Sequence, residues 1–590
     1  MRNFKRQISK QQISKRRAYR AIVLLTLLPL AACIATKPNN GGGQQTQVQV
    51  TVSPASPVPV GVGATQEFTA TVTGLSNTAV TWTLGLAPNQ VANCTNSGNG
   101  TNGLGSITTT GNNSMTYTAP PQLTGSPCGV AVTATASDNM TTGQTLASVH
   151  VVVTISPSTT QSIGQGANQQ FTASVAGTTN QAVNWFPVAV SGGVGSGQFD
   201  TAPANAGLYY APELGSATSA SVTITAVSQF DQTQQSPPTT MNVSISDPLG
   251  TVASYSNVSP CPSNGGLPGG TCFQLNTSCP GVDQFSAYIK VNIPTGTPVG
   301  TVIFGTGSGG SDLYDSDPDF TNTNTNFNGG LTVVQGVLNQ GFTTVQVSFG
   351  SPFNTATPNG WLQGPGGVRR LACRYATVVD WVYNNPTIIN PASTGAINSA
   401  PMCATGNSGG SGAIGYAVTE YGLGTELAMI EPTSGPVMSS LEEGCNLCKA
   451  GPQGPCANNT NQLCYSPSDA AIIDTAYQST GSTTPQLCTT GLSGDTTNYN
   501  RFQSDSILST ATPKTIPLHS TSVNLVFGAL DTTNAVPQGE SWRLSVGPAN
   551  PISGNIPPEV CSPNAPHAIP YDPGGATQIV TDIQNLCRAQ

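Results

Sequence analysis

One stretch of the chain is used twice, without a gap. Ser53-Pro54, Gly61, Gly63, Phe68-Thr69-Ala70, Val72, Gly74, Ala79-Val80 and Trp82 recur 103 residues later as Ser156-Pro157, Gly164, Gly166, Phe171-Thr172-Ala173, Val175, Gly177, Ala182-Val183 and Trp185. A repeat of that length marks one folding unit present in two copies. Further along each copy, Tyr117-Thr118-Ala119-Pro120 matches Tyr209-Tyr210-Ala211-Pro212, and the runs VTATAS from Val132 and VTITAVS from Val222 follow. Alternating apolar and small polar residues broken by frequent turns predict half-buried antiparallel strands. Composition agrees: only 7% of the residues are charged, and 66 Gly with 46 Pro argue against a coiled coil or helical array. With 37% hydrophobic residues the chain has material for real cores, so disorder is not its default.

About 100 residues per unit with one tryptophan on an inner strand suits a β-sandwich. The two units, 46–149 and 150–246, resemble bacterial Ig-like domains. That resemblance implies stalks or adhesive modules. Neither copy carries an acidic cluster of calcium-ligand type, and the lone His150 falls in an alternating strand, where a structural role is expected. Cys94 and Cys128 are the only cysteines between residue 34 and residue 250, so they are expected to pair with each other.

The head of the chain reads as an export signal. A basic segment precedes the apolar run Ala21 to Ala32, which is too short for the ~20 residues that span a bilayer. Leu30-Ala31-Ala32-Cys33 resembles the bacterial lipobox, which implies cleavage, lipidation of Cys33, and a membrane anchor followed by a flexible linker over 34–45. Eight of the 18 basic residues precede Ala21, so removing the head leaves ten against 26 acidic ones, a net charge of −16. A phosphate backbone would be repelled, and nucleic acid is not an expected partner. Removing Cys33 also leaves 14 cysteines, an even number suited to disulfides in an oxidising compartment. Cys445, Cys448, Cys456 and Cys464 have a zinc-like spacing, but no histidine lies nearby and bridges are expected instead.

The pattern changes after residue 246. A cysteine-bearing lead-in, 247–284, precedes a region, 285–590, in which apolar strand-like runs alternate with helix-length segments. That alternation predicts a mostly parallel sheet flanked by helices, with function at the carboxyl ends of its strands. Near its middle stands Gly406-Asn407-Ser408-Gly409-Gly410, between a short apolar stretch and a helical run. The pattern alone is weak in a chain rich in Gly and Ser; strand, sharp turn and helix together make it a nucleophile elbow. On these residues the region resembles the α/β-hydrolase family. The same five residues also resemble the GDSGG of chymotrypsin-like proteases, but that family places its histidine upstream within the same domain, and here only His150 precedes Ser408.

The α/β-hydrolase resemblance implies the chain order serine, acid, histidine. After Ser408 come only His519 and His567; His519 precedes the apolar strand Val523 to Phe527, whereas Asp531 and His567 follow it. The resemblance also implies an acid just beyond a late strand and a base in the loop before the last helix, so the expected catalytic trio is Ser408, Asp531 and His567, with Asp505 and Asp474 as reserve acids. The chemistry needs these types because a serine hydroxyl is a poor nucleophile until an oriented imidazole takes its proton. The oxyanion hole is expected at the Gly409 amide and in Gly305-Thr306-Gly307-Ser308-Gly309-Gly310, through Thr306 or Gly307. A polar, cysteine-rich insertion at about 432–517 is expected to form a cap that shapes substrate access, and Phe353 or Trp361 to line a pocket or pack in the core. The paired cysteines of tannase and feruloyl-esterase relatives are absent, since Asn407 and Ala568 stand there.

The expectation is thus two all-β Ig-like sandwiches, then an α/β-hydrolase fold with a disulfide-rich cap. Its function would be that of an exported, membrane-anchored serine hydrolase acting on esters, with no cofactor or metal implied. An inactive surface adhesion protein and a peptidase on the same fold are the alternatives, and the oligomeric state is not legible.

Overall fold

The computed structural model describes residues 47–588 except 56, 89–102, 193–194, 202–205, 213, 215–216, 218, 392–399, 453, 457–461, 480–481, 483, 485, 509–517, 519–520 and 547–555. Cys33, Cys94 and His519 lie outside the described residues.

The first β unit packs two four-stranded sheets. One takes Gln49–Ser53, Thr65–Thr73, Ser114–Thr118 and Ser106–Gly111, the other Val58–Gly61, Thr142–His150, Cys128–Ala136 and Val80–Leu86. Their alternate residues meet in one core around Phe68, Trp82, Met115 and Val132. The second unit repeats this wiring in detail. Gln49 pairs with Thr73 in the first unit and Val152 with Ala176 in the second, both residues shifted by 103. In each unit a fully buried tyrosine donates its hydroxyl to a carbonyl 13 residues upstream, Tyr117 to Leu104 and Tyr209 to Ser196, both at 2.8 Å. The apolar ring fills the core while the hydroxyl finds the partner that a buried phenol needs.

The remaining chain builds a second fold around a ten-stranded sheet. Its strands are β1 (Thr251–Val258), β2 (Thr271–Ser278), β3 (Phe285–Asn292), β4 (Gly300–Gly305), β5 (Phe342–Ser348), β6 (Met402–Asn407), β7 (Met429–Thr433), β8 (Leu525–Gly528) and β9 (Glu559–Ser562). They lie in the order β1-β2-β3-β5-β4-β6-β7-β8-β9, with the short strand Ser522–Val523 also on β7. From β5 to β9 all pairings are parallel; β1, β2 and β3 pair antiparallel, and β3 meets β5 antiparallel. Helices α1 (Gly329–Asn339), α2 (Cys373–Asn384), α3 (Gly409–Thr419), α4 (Pro467–Asp474), α5 (Ala535–Val546) and α6 (Pro573–Leu586) cover or overhang it. Both sheet faces are buried, which is why β5, β6 and β7 are buried at every position rather than alternately.

Two departures from the sequence expectation have physical causes. Residues 247–284 are not a separate lead-in: β1 and β2 extend the sheet, with Leu275 in its core. The turn-rich stretch between them, closed by Cys261–Cys272, masks the strand signal. The predicted strand Val523 to Phe527 is interrupted at Asn524, whose side chain donates to Asp582 Oδ2 at 2.7 Å. Trp361 is buried in the core, one of the two places expected for it, and Phe353 stacks on Tyr288 with ring centroids 4.7 Å apart. The four zinc-spaced cysteines enter three different disulfides, Cys445–Cys488, Cys448–Cys464 and Cys456–Cys561. Cys403–Cys587 ties β6 to the end of α6, and Cys279–Cys373 ties the end of β2 to α2.

Candidate active site

The site lies where the chain reverses its direction of travel across the sheet. β4 has β5 on one side and β6 on the other, so the loops leaving β4 and β6 diverge and open a crevice at their carboxyl ends. Ser408 stands at the end of β6, before the first residue of α3, with φ 53° and ψ −115°. A non-glycine residue in that region is strained and persists only where its surroundings hold it. Here the Ser408 amide donates to Thr433 O at 2.9 Å, and its carbonyl accepts from Gly412 N at 3.0 Å.

Glycines make the bend possible. A Cβ at Gly406 would come 2.8 Å from Gly410 C, and one at Gly410 2.6 Å from Gly305 O; one at Gly409 would coincide with the Ser308 carbonyl. These three positions therefore let α3 and the β4 loop close against the serine. The loop is itself pinned: Gly310 N donates to Gly307 O, Phe349 N to Gly310 O and Trp361 N to Gly309 O, each at 2.8 Å. Thr306 is buried, with its hydroxyl on Asp312 O, and Gly307 packs against Ser408, where a Cβ would lie 3.7 Å from the serine's Cβ. The loop residue that faces the crevice is Ser308, itself at φ 50°.

Asp531 follows β8 in a turn closed by its own amide on Gly528 O at 3.0 Å. Its side chain is wholly buried, and its Oδ2 lies 3.0 Å from Nδ1 of His567, which is 34% exposed. Thr533 joins them: its Oγ1 is 3.1 Å from the same Nδ1, and its amide donates to Asp531 Oδ1 at 2.8 Å. Burial disfavours charge on both groups, but their mutual bond and attraction win. The Asp531 carboxyl is held below its ordinary range, and the imidazole pKa is raised above its usual value. Asp469 and Asp319 add to the rise at His567.

Ser408, Gly409, Ser308 and His567 line one cavity of about 110 Å³, walled by Val437, Met438, Tyr465, Asp469, Ile472 and Ile473 of the insertion. Among the described residues no hydrogen bond joins Ser408 Oγ to His567 Nε2; such contacts commonly tighten only when substrate binds. The reserve acids are elsewhere. Asp505 accepts from Asn168 of the second β unit at 2.9 Å, and Asp474 accepts from Cys488 N within the cap at 2.7 Å. A larger cavity, about 360 Å³, opens at that joint with the β unit, around Arg369 and Arg370; it holds neither Ser408 nor His567.

One residue of the elbow has a role that its sequence position does not announce. Asn407, 2% exposed, accepts through Oδ1 from Thr433 Oγ1 at 3.0 Å and from Ile569 N at 3.2 Å. It thereby ties the end of β6 to the loop that carries His567. Thr533 and Ser308 likewise gave no signal in the sequence beyond a turn composition.

No protein-family model and no curated protein matches the sequence. Solved structures do match it, over about half of the chain. A lipase in its open form is 14% identical and covers 52% of this chain and 94% of its own, with a TM-score of 0.30. Candida antarctica lipase A in its closed state is 12% identical over 58% of this chain and 83% of its own, at 0.35. A carboxyl esterase from Bacillus coagulans in complex with glycerol is 14% identical over 57% of this chain and 99% of its own, at 0.31.

Proposed function

We propose that the chain is an exported serine hydrolase of the α/β-hydrolase type that cleaves carboxylic esters through an acyl-enzyme. The observation that carries this reading is a strained serine at the head of α3 sharing a cavity with a histidine whose far nitrogen is bonded to a buried carboxylate. In the first step Ser408 Oγ attacks the ester carbonyl carbon while its proton passes to His567 Nε2. The carbonyl π electrons move to oxygen, which the Gly409 amide and the amides of the Gly307-Ser308 turn would receive. Collapse of this adduct breaks the C–O bond, and His567 returns the proton to the departing alkoxide. Water then attacks the acyl carbon, with His567 again as base, and collapse breaks the acyl–Oγ bond as His567 returns the proton to Ser408 and the carboxylic acid leaves. Asp531 keeps the proton on Nδ1 and stabilises the imidazolium in both halves.

The two β units would be Ig-like spacers, and a lipid on Cys33 would anchor the enzyme to the cell envelope. The test of the chemistry is labelling with a fluorophosphonate followed by peptide mapping. One adduct on Ser408 is expected; no adduct, or one that survives Ser408→Ala, defeats the assignment. Metabolic labelling with a fatty acid, lost in Cys33→Ala, is the expected result for the anchor.

A further inference from the structure

We infer that the cap makes this site a short-chain one: it accepts an uncharged acyl group of up to about four carbons, with Ile473 and Met438 setting the limit. The inference rests on Ser408 being the nucleophile.

The insertion does not merely cover the serine. Helix α4 places Asp469, Ile472 and Ile473, at positions i, i+3 and i+4, on one face toward the cavity. Opposite them stand Val437 and Met438, in the segment after β7. Ile473 is 2% and Met438 4% exposed, so they are packed walls rather than loose side chains. Tyr465 completes the lining, and its hydroxyl donates to Val437 O at 2.8 Å, which fixes one wall to the other.

The space these walls bound, open to solvent at its mouth, is about 110 Å³. A cavity of ~150 Å³ lined by aliphatic side chains holds benzene, six carbons, so this one has room for about four. A longer chain would have to push back walls that are held from outside. Cys445–Cys488 bridges two helices of the cap, and Cys456–Cys561 bolts the cap to β9, six residues before His567. The short-chain limit therefore belongs to the cross-linked fold and is not the closed state of a swinging lid.

The probes are p-nitrophenyl alkylphosphonates with ethyl, butyl and octyl chains, applied to the full chain, with the rate of Ser408 adduct formation read by mass spectrometry. Ethyl and butyl are expected to label at comparable rates and octyl at least tenfold more slowly. The first methylene that a pocket cannot admit discriminates by roughly tenfold or more. Ile473→Ala should raise the octyl-to-butyl ratio about tenfold, and Ile473→Trp should lower the butyl-to-ethyl ratio. Because the two variants move opposite ratios in opposite directions, general damage to the fold cannot imitate both. Octyl labelling as fast as butyl in the wild type, or ratios unmoved in both variants, overturns the inference while leaving Ser408 as nucleophile. Absence of labelling by any chain length overturns the nucleophile assignment and the pocket with it.

Discussion

Among the described residues there are two serine, histidine and aspartate trios, and on the proposed reading the better hydrogen-bonded one is the less suited to catalysis. Between the β units, Ser148 Oγ lies 2.8 Å from His150 Nε2, and His150 Nδ1 lies 2.8 Å from Asp231 Oδ2. By side-chain geometry this is a complete relay, whereas the trio in the crevice lacks a bond between Ser408 and His567. The backbone around each serine reverses that ranking. Ser148 sits in the middle of a sheet, its strand paired with Val58–Gly61 on one side and Cys128–Ala136 on the other, so the neighbouring amides belong to ladders. Ser408 sits on a strained bend before α3, facing a glycine turn and a cavity. On the proposed reading, charge on a carbonyl oxygen would meet the amides of Gly409 and the Gly307-Ser308 turn at the second place, whereas the amides beside Ser148 belong to sheet ladders. A reactive serine is made by what surrounds the carbonyl, more than by what touches the hydroxyl.

Substitution of the two serines would break this contrast most directly. Ser408→Ala should lower ester turnover by ~10⁴- to 10⁶-fold, the range seen when a triad serine is removed. Ser148→Ala should leave turnover as it is; a comparable fall there, measured on butyrate ester under saturating conditions, would mean that the wrong trio has been chosen.

Next in size is Asp531→Asn, with an expected loss of about 10⁴-fold in kcat as the imidazole loses its tautomer. It also has a pH signature. Burial alone would lower the His567 pKa, but the bond and charge of Asp531 raise it above the ordinary 6.5. The base must be neutral, so wild-type activity should climb with pH through a midpoint above 6.5. In Asp531→Asn that limb should move to lower pH. A limb that stays in place would remove Asp531 from the partnership.

A smaller effect is expected at Asn407, which no hydrogen-bond relay includes. Asn407→Leu removes the acceptor shared by Ile569 N and Thr433 Oγ1 and leaves both donors buried. A drop of about tenfold in kcat with KM nearly constant is the expected signature, since one hydrogen bond is worth about 1 kcal/mol and a degree of misplacement follows. Asn407→Asp keeps the acceptor and should recover most of the rate. Equal loss in both variants would show that Asn407 serves packing alone.

How much of this was legible follows from the range of the interactions. The repeat and the bend at Ser408 depend on residues within a few positions of one another, so their glycines and strands could be read directly. The bond between Asp531 and His567 was expected on other grounds: only two histidines follow Ser408, and Asp531 is the acid just beyond the apolar stretch Val523 to Phe527. The bond from Asn407 to Ile569 spans 162 positions, and nothing local marks either end. The cap residues that wall the cavity were equally hidden, because α4 meets Val437 and Met438 only after the disulfides have folded the insertion back. Strands β1 and β2 were missed where the turn residues and cysteines between them outweighed the strand pattern.

The least effect on chemistry, and a clear one on stability, is expected at Asp231. Its carboxylate, 3% exposed, accepts from Thr233 Oγ1 at 2.6 Å and Thr233 N at 3.1 Å within the second β unit, and bonds His150 and Ser126 of the first. Burial would raise its pKa, but these bonds outweigh burial and hold it below the ordinary 3.8. A carboxyl with a lowered folded-state pKa contributes stability that is full above the unfolded value and is lost as pH falls through the folded one. The joint between the β units should therefore be firm at neutral pH and loosen in acid. Asp231→Ala removes that contribution at all pH values and strands the His150 and Ser126 donors, at a cost of about 2 kcal/mol. Calorimetry of the full chain at pH 7 should show the transition of the β region lowered by roughly 5 °C, with ester turnover unchanged. The same substitution should have progressively less effect as the pH is taken below 3.8, because the wild type is losing the same bonds. If turnover fell with the melting temperature at neutral pH, the second trio would be coupled to the first, and the division between a structural relay and a catalytic one would fail.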